Sequence, residues 1–364
     1  MVNSTICDSQ KAKSETVLHS SSDQTKQSQK ASGTSQFEVR CWRTWSLVRV
    51  LVTGAAGFIG STTTEVLLAK GHEVVALDSL ISGHAENVPA KATFVEGDCG
   101  DVELVRSLGS FDVCIHFAGR IEPAESMKYP EVFFANNVGS TFRLLEALVD
   151  SGVERFVFSS SAAVYGTQTD MPIDEGRSVN PQSPYGQSKL MVEEGLHWLA
   201  TSGRMRTASM RYFNAAGGTL QHPEQHRPEI HLIPIALDVA AGTRPYLEIY
   251  GSDYSTPDGT CIRDYVHVSD LAEAHVLAMG ALDAHPELVF NLGSGVGYSN
   301  LEVVETVKRV TGIDFDVRVG DRRAGDPAAA IASNEYARER LGWRLERSGL
   351  DTIVRDAWAA HQSL

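Results

Sequence analysis

The chain has 364 residues, 42% hydrophobic and 21% charged, with a formal net charge of −14 at pH 7. That length buries a substantial core and accommodates two domains or one extended α/β unit. The acidic balance argues against a nucleic-acid surface, although local arginines can still hold an anionic ligand. The five cysteines (Cys7, Cys41, Cys99, Cys114 and Cys261) show no C-x-x-C or Cys/His spacing, a reduced, metal-free, intracellular pattern. No apolar run approaches the roughly 20 residues that span a bilayer, so a soluble, cytoplasmic protein is expected.

Residues 1–46 are rich in Ser, Gln, Lys and Thr and poor in apolar side chains, so they read as a disordered extension. They lack the apolar stretch of a secretory signal, and Asp8, Glu15, Asp23 and Glu38 speak against a transit peptide.

The next stretch, Val48-Arg49-Val50-Leu51-Val52-Thr53-Gly54-Ala55-Ala56-Gly57-Phe58-Ile59-Gly60, is a β-branched run entering a glycine-rich turn. It reads as a buried strand that turns into a helix, with glycines where a pyrophosphate approaches the main chain. The helix opening at Phe58 offers free N–H groups and its positive dipole end to an anion. A second strand, His72–Leu77, ends at Asp78, about 20 residues beyond the turn, as a dinucleotide fingerprint requires. Its carboxylate suits ribose hydroxyls and repels a 2′-phosphate, which favours NAD over NADP.

Further strands are expected at Thr93–Glu96, Val113–Phe117, Arg155–Ser159 and Thr207–Phe213, with helices at 102–108, 131–150 and 185–202. This alternation means a doubly wound parallel sheet. Ligands in such sheets sit beyond strand carboxyl ends, which places Gly97-Asp98 and Phe117-Ala118-Gly119 beside a dinucleotide. After Asn214 a loop runs from Ala215 to Glu229, and shorter elements follow at Leu232–Ala241, Leu247–Tyr250, Asp264–Val268, Ser269–Leu282, Val289–Leu292 and Asn300–Thr311. The expected architecture is α/β. A Rossmann sheet over 47–214 binds NAD, and a smaller C-terminal α/β part over 215–364 mainly binds substrate, with some segments returning to the first.

The fifth strand ends in Ser159-Ser160-Ser161, and Ser183-Pro184-Tyr185-Gly186-Gln187-Ser188-Lys189 follows. Pro184 opens a helix that puts Tyr185 and Lys189 on one face. A phenol near pKa 10 is a poor base at neutral pH. A cation about 5 Å away favours the phenolate by roughly 3 kcal/mol at an effective dielectric near 20. Lys189, together with an oxidised nicotinamide, is therefore expected to lower the Tyr185 pKa, while Ser161 orients the reacting hydroxyl.

These residues resemble the extended short-chain dehydrogenase/reductase family, with T-G-x-x-G-x-x-G at Thr53–Gly60 and Y-x-x-x-K at Tyr185–Lys189. Within it the chain is similar to the UDP-glucose 4-epimerases. The similarity runs through Ser159–Gly166, Pro181–Gly186, Arg211–Asn214, His231–Pro234, Asp258–Val268, Asn291–Gly295 and Arg322–Asp326. It implies a tightly held NAD and transient oxidation of a hexose at C4. Tyr185 removes the 4-hydroxyl proton, and the 4-keto sugar turns over before reduction on its other face. It also implies a homodimer through the helices at 131–150 and 185–202.

Carried onto this chain, the resemblance gives Ser161, Tyr185 and Lys189 as the catalytic set. The cofactor contacts it implies are Gly54, Gly57, Phe58, Ile59, Gly60, Asp78, Asp98, Cys99, Phe117, Ala118, Gly119, Asn136, Ser159, Tyr185, Lys189 and Tyr212. The substrate contacts are Ser161, Tyr185, Asn214, His231, Leu232, Arg263, Arg323, Asp326 and Ala330, and no metal is implied. An ion pair with Asp264 is the alternative for Arg263, and His231 and His267 also read as capping or packed histidines.

Two positions depart from the family. Ile121 stands where many members carry lysine, and Ala163 where many carry threonine. A nucleotide-sugar 4,6-dehydratase is rejected, because that group carries an Asp-Glu pair at the positions of Ala162 and Ala163. A uronate or pentose 4-epimerase stays open, and a non-catalytic NAD-binding regulator is the reading from a different class. Members that exclude N-acetylated sugars resemble one another in carrying tyrosine at the position of Ala330. The N-acetylglucosamine/N-acetylgalactosamine pair is therefore expected to be accepted as well.

Overall fold

The computed structural model describes residues 47–323 and 325–364, so the extension expected over residues 1–46 lies outside the described residues. Strand and helix alternate first: β1 (Arg49–Thr53), α1 (Phe58–Ala69), β2 (Glu73–Asp78), β3 (Thr93–Glu96), α2 (Val102–Ser107), β4 (Val113–His116) and the short α3 (Pro123–Lys128) and α4 (Pro130–Phe133). Then come α5 (Thr141–Asp150), β5 (Arg155–Ser161), α6 (Pro184–Thr201), β6 (Arg206–Tyr212), β7 (Asn214–Ala216), α7 (Leu232–Ala240), β8 (Leu247–Tyr250) and β9 (Ile262–His267). The chain continues through α8 (Val268–Ala281), β10 (Glu287–Leu292), β11 (Gly297–Ser299), α9 (Asn300–Thr311), β12 (Val317–Gly320), β13 (Ala329–Ala330), α10 (Glu335–Leu341) and α11 (Leu350–His361).

Seven strands make one parallel sheet in the order β10-β6-β5-β4-β1-β2-β3. The order reverses between β1 and β4, where doubly wound sheets open a crevice beyond their strand ends. Strands covered on both faces need continuous apolar runs. Val50, Leu51 and Val52 of β1, and Val113, Cys114 and Ile115 of β4, are accordingly fully buried. Leu144 and Leu148 of α5 and Val192 and Leu196 of α6 close over Leu51, Cys114 and Phe156 in one core. From the C-terminal half, β10 joins this sheet beside β6 with Asn291 opposite Arg211, and α8 packs on α1.

The remaining strands form a small sheet of β11, β9 and β13 with β7 beside β9, and a β12–β8 ribbon. Around a second core of Ile233, Leu237, Val303, Val307, Ile353 and Val354 pack α7, α9 and α11.

The helix expected over 131–150 differs in shape. Between α4 and α5 the backbone widens into a π turn, Phe134–Ser140, and such wide turns re-aim side chains at functional sites. Here Asn137 is turned onto the loop after β4. Its Nδ2 donates to the Arg120 carbonyl at 3.0 Å and to Ser188 Oγ at 3.1 Å, and its Oδ1 accepts from Arg120 N at 2.8 Å. The π turn thereby ties the end of β4 to the helix that carries Tyr185.

Candidate active site

Beyond β1 the chain turns at Gly54 with a φ of 68°, a region open to glycine. A Cβ on Gly54 would lie 2.5 Å from Ala118 N, and one on Gly60 would lie 2.1 Å from the Gly54 carbonyl. Both glycines let β1, β4 and α1 close on one another. Gly57 is different, because its φ is −81° and the nearest atom to an added Cβ would be 3.4 Å away. No protein contact demands glycine there. Its bare Cα instead faces a cavity of about 430 Å³. As the cap of α1, Gly57 offers no side-chain hydrogen bond, so the first N–H groups of that helix stand beside the cavity for an anion.

Every residue expected to contact the cofactor, from Gly54 to Tyr212, lines this cavity, Asn136 and Ser159 included. Asp78 is fixed there by Ala56 N at 2.9 Å on one oxygen and Leu80 N at 2.8 Å on the other. Each oxygen keeps a lone pair for a ribose hydroxyl. Asp98 holds its turn by accepting from Gly100 N at 2.8 Å. Burial, with Asp98 adding to it, pushes the Cys99 thiol up to about 12, which leaves it inert. The open Cα of Gly57 and the acidic group at Asp78 fit a dinucleotide without a 2′-phosphate.

On the other side stands α6, capped by Ser183, whose hydroxyl accepts from Gly186 N at 3.2 Å, with Pro184 at its first position. Tyr185 and Lys189 follow one turn apart, both buried. Tyr185 N donates to Ser126 Oγ at 3.1 Å, and Lys189 Nζ donates to the Ser159 carbonyl at 2.8 Å. The ammonium lies 5.9 Å from the centre of the Tyr185 ring. At the end of β5, Ser161 is near enough to the phenol to pull its pKa down. Ser161, Tyr185 and Lys189 all line the same cavity as the glycine turn and Asp78.

Lys189, without the oxidised nicotinamide expected to act with it, does not lower the phenol. Burial raises the Tyr185 pKa above its ordinary value, and Ser161 offsets only part of that. Burial also lowers the Lys189 ammonium to about 8, against the opposing pull of Glu193. Removal from water dominates both groups.

Several supporting residues escaped the sequence reading. Ser126 and Asn137 come from elements whose bends are invisible in a residue pattern. Glu193 stands four residues after Lys189, and that spacing was the available signal. Its carboxylate accepts from Ser160 Oγ and pairs with Arg211. Behind the cavity, Thr141 Oγ1 donates to the Asn137 carbonyl at 2.6 Å, so it accepts from His116 Nε2 at 2.9 Å, and His116 Nδ1 accepts from Thr53 at 2.6 Å. Burial, with Lys189 adding to it, pushes the His116 imidazole down to about 3, so it stays neutral.

A second cavity of about 540 Å³ is lined by Asn214, His231, Leu232, Arg263, Arg323 and Asp326. Asn214, Ala215 and His231 line both cavities. Arg263 does not pair with Asp264. Its Nη1 donates to the Ile262 and Pro327 carbonyls, both at 2.9 Å, and its Nη2 lies 3.8 Å from Asp326 Oδ1. Asp264 is occupied by the N–H groups of Ser294, Gly295 and Ala332. Arg323 stacks 3.8 Å over the Tyr250 ring. The His231 Nδ1 meets Glu229 at 2.8 Å. Burial alone would lower its pKa, but Glu229 and Glu224 outweigh it and hold it above the ordinary value. His267 caps α8 by accepting from Ser269 N at 3.0 Å.

Ala330 stands apart from the other substrate candidates. It lies in β13 opposite Arg263 and lines neither cavity, although paired residues of a parallel ladder project to the same face. Among the described residues no group of His, Cys, Asp or Glu could hold a metal ion, and no helix is long and apolar enough to cross a membrane.

Known proteins are similar to this chain in sequence and fold. The chain is 45% identical over 320 residues to the UDP-glucose 4-epimerase of Lacticaseibacillus casei, covering 86% of this chain and 97% of that one. The UDP-glucose 4-epimerase of Brucella ovis, solved in complex with NAD, superposes with a TM-score of 0.81 at 44% identity, covering 85% of this chain and 97% of the other. The UDP-Glc/GlcNAc 4-epimerase of Campylobacter jejuni superposes with a TM-score of 0.77 at 38% identity, covering 87% and 99%. The pattern of the NAD dependent epimerase/dehydratase family matches residues 50–293, the stretch that builds the glycine turn, Asp78 and the Ser161, Tyr185 and Lys189 set, and the chain belongs to that family.

Proposed function

We propose that the protein interconverts UDP-glucose and UDP-galactose by NAD-dependent epimerisation at C4, and that it also accepts the N-acetylated pair. The observation that carries this reading is the meeting of Ser161, Tyr185 and Lys189 at the cavity lined by the glycine turn and Asp78, which shares a wall with a cavity holding Arg263 and Arg323. The relatives named above act on such sugars.

Bound NAD supplies the acceptor and donor for the hydrogen at C4 and, when oxidised, the positive charge that lowers the phenol pKa where Lys189 alone does not. Tyr185 takes the proton of the 4-hydroxyl and returns it to that same oxygen once the turned sugar is reduced at C4 on its other face. Ser161 orients that oxygen by hydrogen bonding, and Lys189, anchored on the Ser159 carbonyl, steadies the phenolate. In the second cavity Arg263 and Arg323 offer planar donor forks to the diphosphate, beside Asn214, His231, Leu232 and Asp326. Water is not eliminated, since Ala162 and Ala163 carry no proton-shuttling group.

The sheet-forming part over 47–214 is read as the dinucleotide platform, and 215–364 as mainly substrate-binding. Buried free thiols at Cys99, Cys114 and Cys261 suit a reducing cytoplasm. A homodimer through α5 and α6 is supported by Phe142, Met191 and Trp198, which expose large apolar surface on those helices.

The test converts UDP-galactose and UDP-N-acetylgalactosamine, with uronate and pentose counterparts, using wild type and Ala330→Tyr. Conversion of both hexose pairs by wild type, with loss of only the N-acetyl pair in the variant, is expected. Failure to convert UDP-galactose overturns the assignment, and an unchanged N-acetyl rate in Ala330→Tyr removes Ala330 from the sugar pocket.

A further inference from the structure

Between β7 and α7 the chain forms no helix or strand, and its residues 223–228 line the same cavity as the glycine turn and Asp78. Side chains attach this segment to three separate walls. His222 Nε2 bonds Glu65 of α1. On the loop after β2, Asn87 Nδ2 donates to Gln225 Oε1 at 2.9 Å, and His84 Nε2 donates to the Gln225 carbonyl at 3.3 Å. Beyond β4, His226 Nε2 meets Glu122 Oε1 at 3.0 Å. Among the described residues no backbone–backbone hydrogen bond from 223–230 reaches any of these walls.

The His226–Glu122 contact is the tie to a carboxylate that lands on the cavity lining. Its side chains are 13% and 18% exposed, whereas Glu65 is 48% exposed and lies outside the lining. A charge-assisted bond out of water is stronger than its surface counterpart. Segments held by side chains rather than by a backbone ladder open locally at low cost, so such ties set how often the segment lifts.

We infer that residues 222–228 are a strap that retains the dinucleotide, with His226–Glu122 as its clasp. The strap is a cofactor-retaining element and not part of the C4 chemistry. It suits a reaction that returns hydrogen to the sugar it came from, because such a reaction gains nothing from cofactor release. The inference rests on the dinucleotide reading of the cavity.

The experiment follows release of bound NAD from the full chain when an excess of its etheno-adenine analogue is added, read by the analogue's fluorescence. His226→Ala and Glu122→Gln should each release NAD roughly ten- to a hundredfold faster than wild type. The double variant should be no faster than the quicker single, because both cut the same bond. His226→Gln, which still donates, should stay closer to wild type. Glu287→Gln removes the exposed His197–Glu287 pair far from the strap and should leave release unchanged. Wild-type release in both singles, or equal acceleration in the Glu287 control, overturns the strap. A wild-type protein that neither contains nor takes up NAD overturns the dinucleotide reading itself.

Discussion

Glu193 grips Arg211 with both carboxylate oxygens, 3.0 and 3.1 Å from Nε and 2.5 Å from Nη2, with the two side chains 7% and 9% exposed. The Arg211 Nη1 then donates to the Tyr165 hydroxyl at 3.0 Å, and that hydroxyl donates to Asn291 at 2.8 Å. One chain of bonds thus joins α6, the turn after β5, β6 and β10. Glu193→Ala strands a buried guanidinium and should cost about 3–5 kcal/mol, read as a lower urea midpoint. Adding Arg211→Met should restore part of the loss, because the unpaired charge is then gone. No change in the midpoint for Glu193→Ala would contradict the burial.

Tyr185→Phe keeps the ring in place and removes the proton acceptor. Turnover should fall by at least roughly 10²-fold while the KM for the nucleotide sugar barely moves. An active phenylalanine enzyme would move the base elsewhere.

Gly60 and Gly57 should respond in opposite ways to alanine. At Gly60 the methyl meets the Gly54 carbonyl at 2.1 Å, so the turn must shift, and the cofactor-free protein should melt at lower temperature. At Gly57 the contact is 3.4 Å, so the cofactor-free melting temperature should hold while affinity for NAD falls. Calorimetry on stripped protein and a binding titration separate the two. Equal behaviour would mean that Gly57 is needed by the chain and not by a ligand.

Acid should destabilise the fold through His116 and His275, which burial pushes down to about 3 and about 4. Below the ordinary value of 6.5 the unfolded chain binds a proton that the folded chain refuses. Their contribution is therefore complete above pH 6.5 and is lost as pH falls toward 4 and then 3. For His275 the loss reaches about 3 kcal/mol. Melting temperatures between pH 7.5 and 4.5 should drop, and His275→Leu should flatten part of that slope. A flat profile in wild type would mean that these imidazoles are charged in the fold.

The ring of Phe142 fills the space beside Gly195, where an added Cβ would lie 2.4 Å from Cζ. If α5 and α6 form the dimer face, Phe142→Arg should yield monomers in sedimentation equilibrium, whereas a chain already monomeric as wild type would dispose of the dimer.

Long elements were legible because their patterns are long. The apolar run of β1 and the amphipathic α9 match their expected positions, with α9 spanning Asn300–Thr311 as read. Strands β7, β11 and β13 have three, three and two residues, too few for alternation to register. The helix α11 carried a readable signal, since Leu350, Ile353, Val354, Ala357 and Ala360 are buried at helical spacing. Within the site, Tyr185 and Lys189 were visible through their shared helical face. Asn137 was not, because only the π turn aims it at Arg120 and Ser188. The upward shift that burial gives Tyr185 also lay outside the sequence, since burial depends on the closed core around the phenol.

On the proposed function, the wall common to the two cavities, made by Asn214, Ala215 and His231, would work as the post of a leash. A sugar nucleotide tied by its diphosphate on one side of that post can swing its hexose end on the other without leaving the protein. The oxidised sugar would then stay at a high effective concentration beside Tyr185 whichever face it presents. Grip and freedom are assigned to opposite ends of one substrate, so tightening the nucleotide end need not hinder the rotation on which inversion depends.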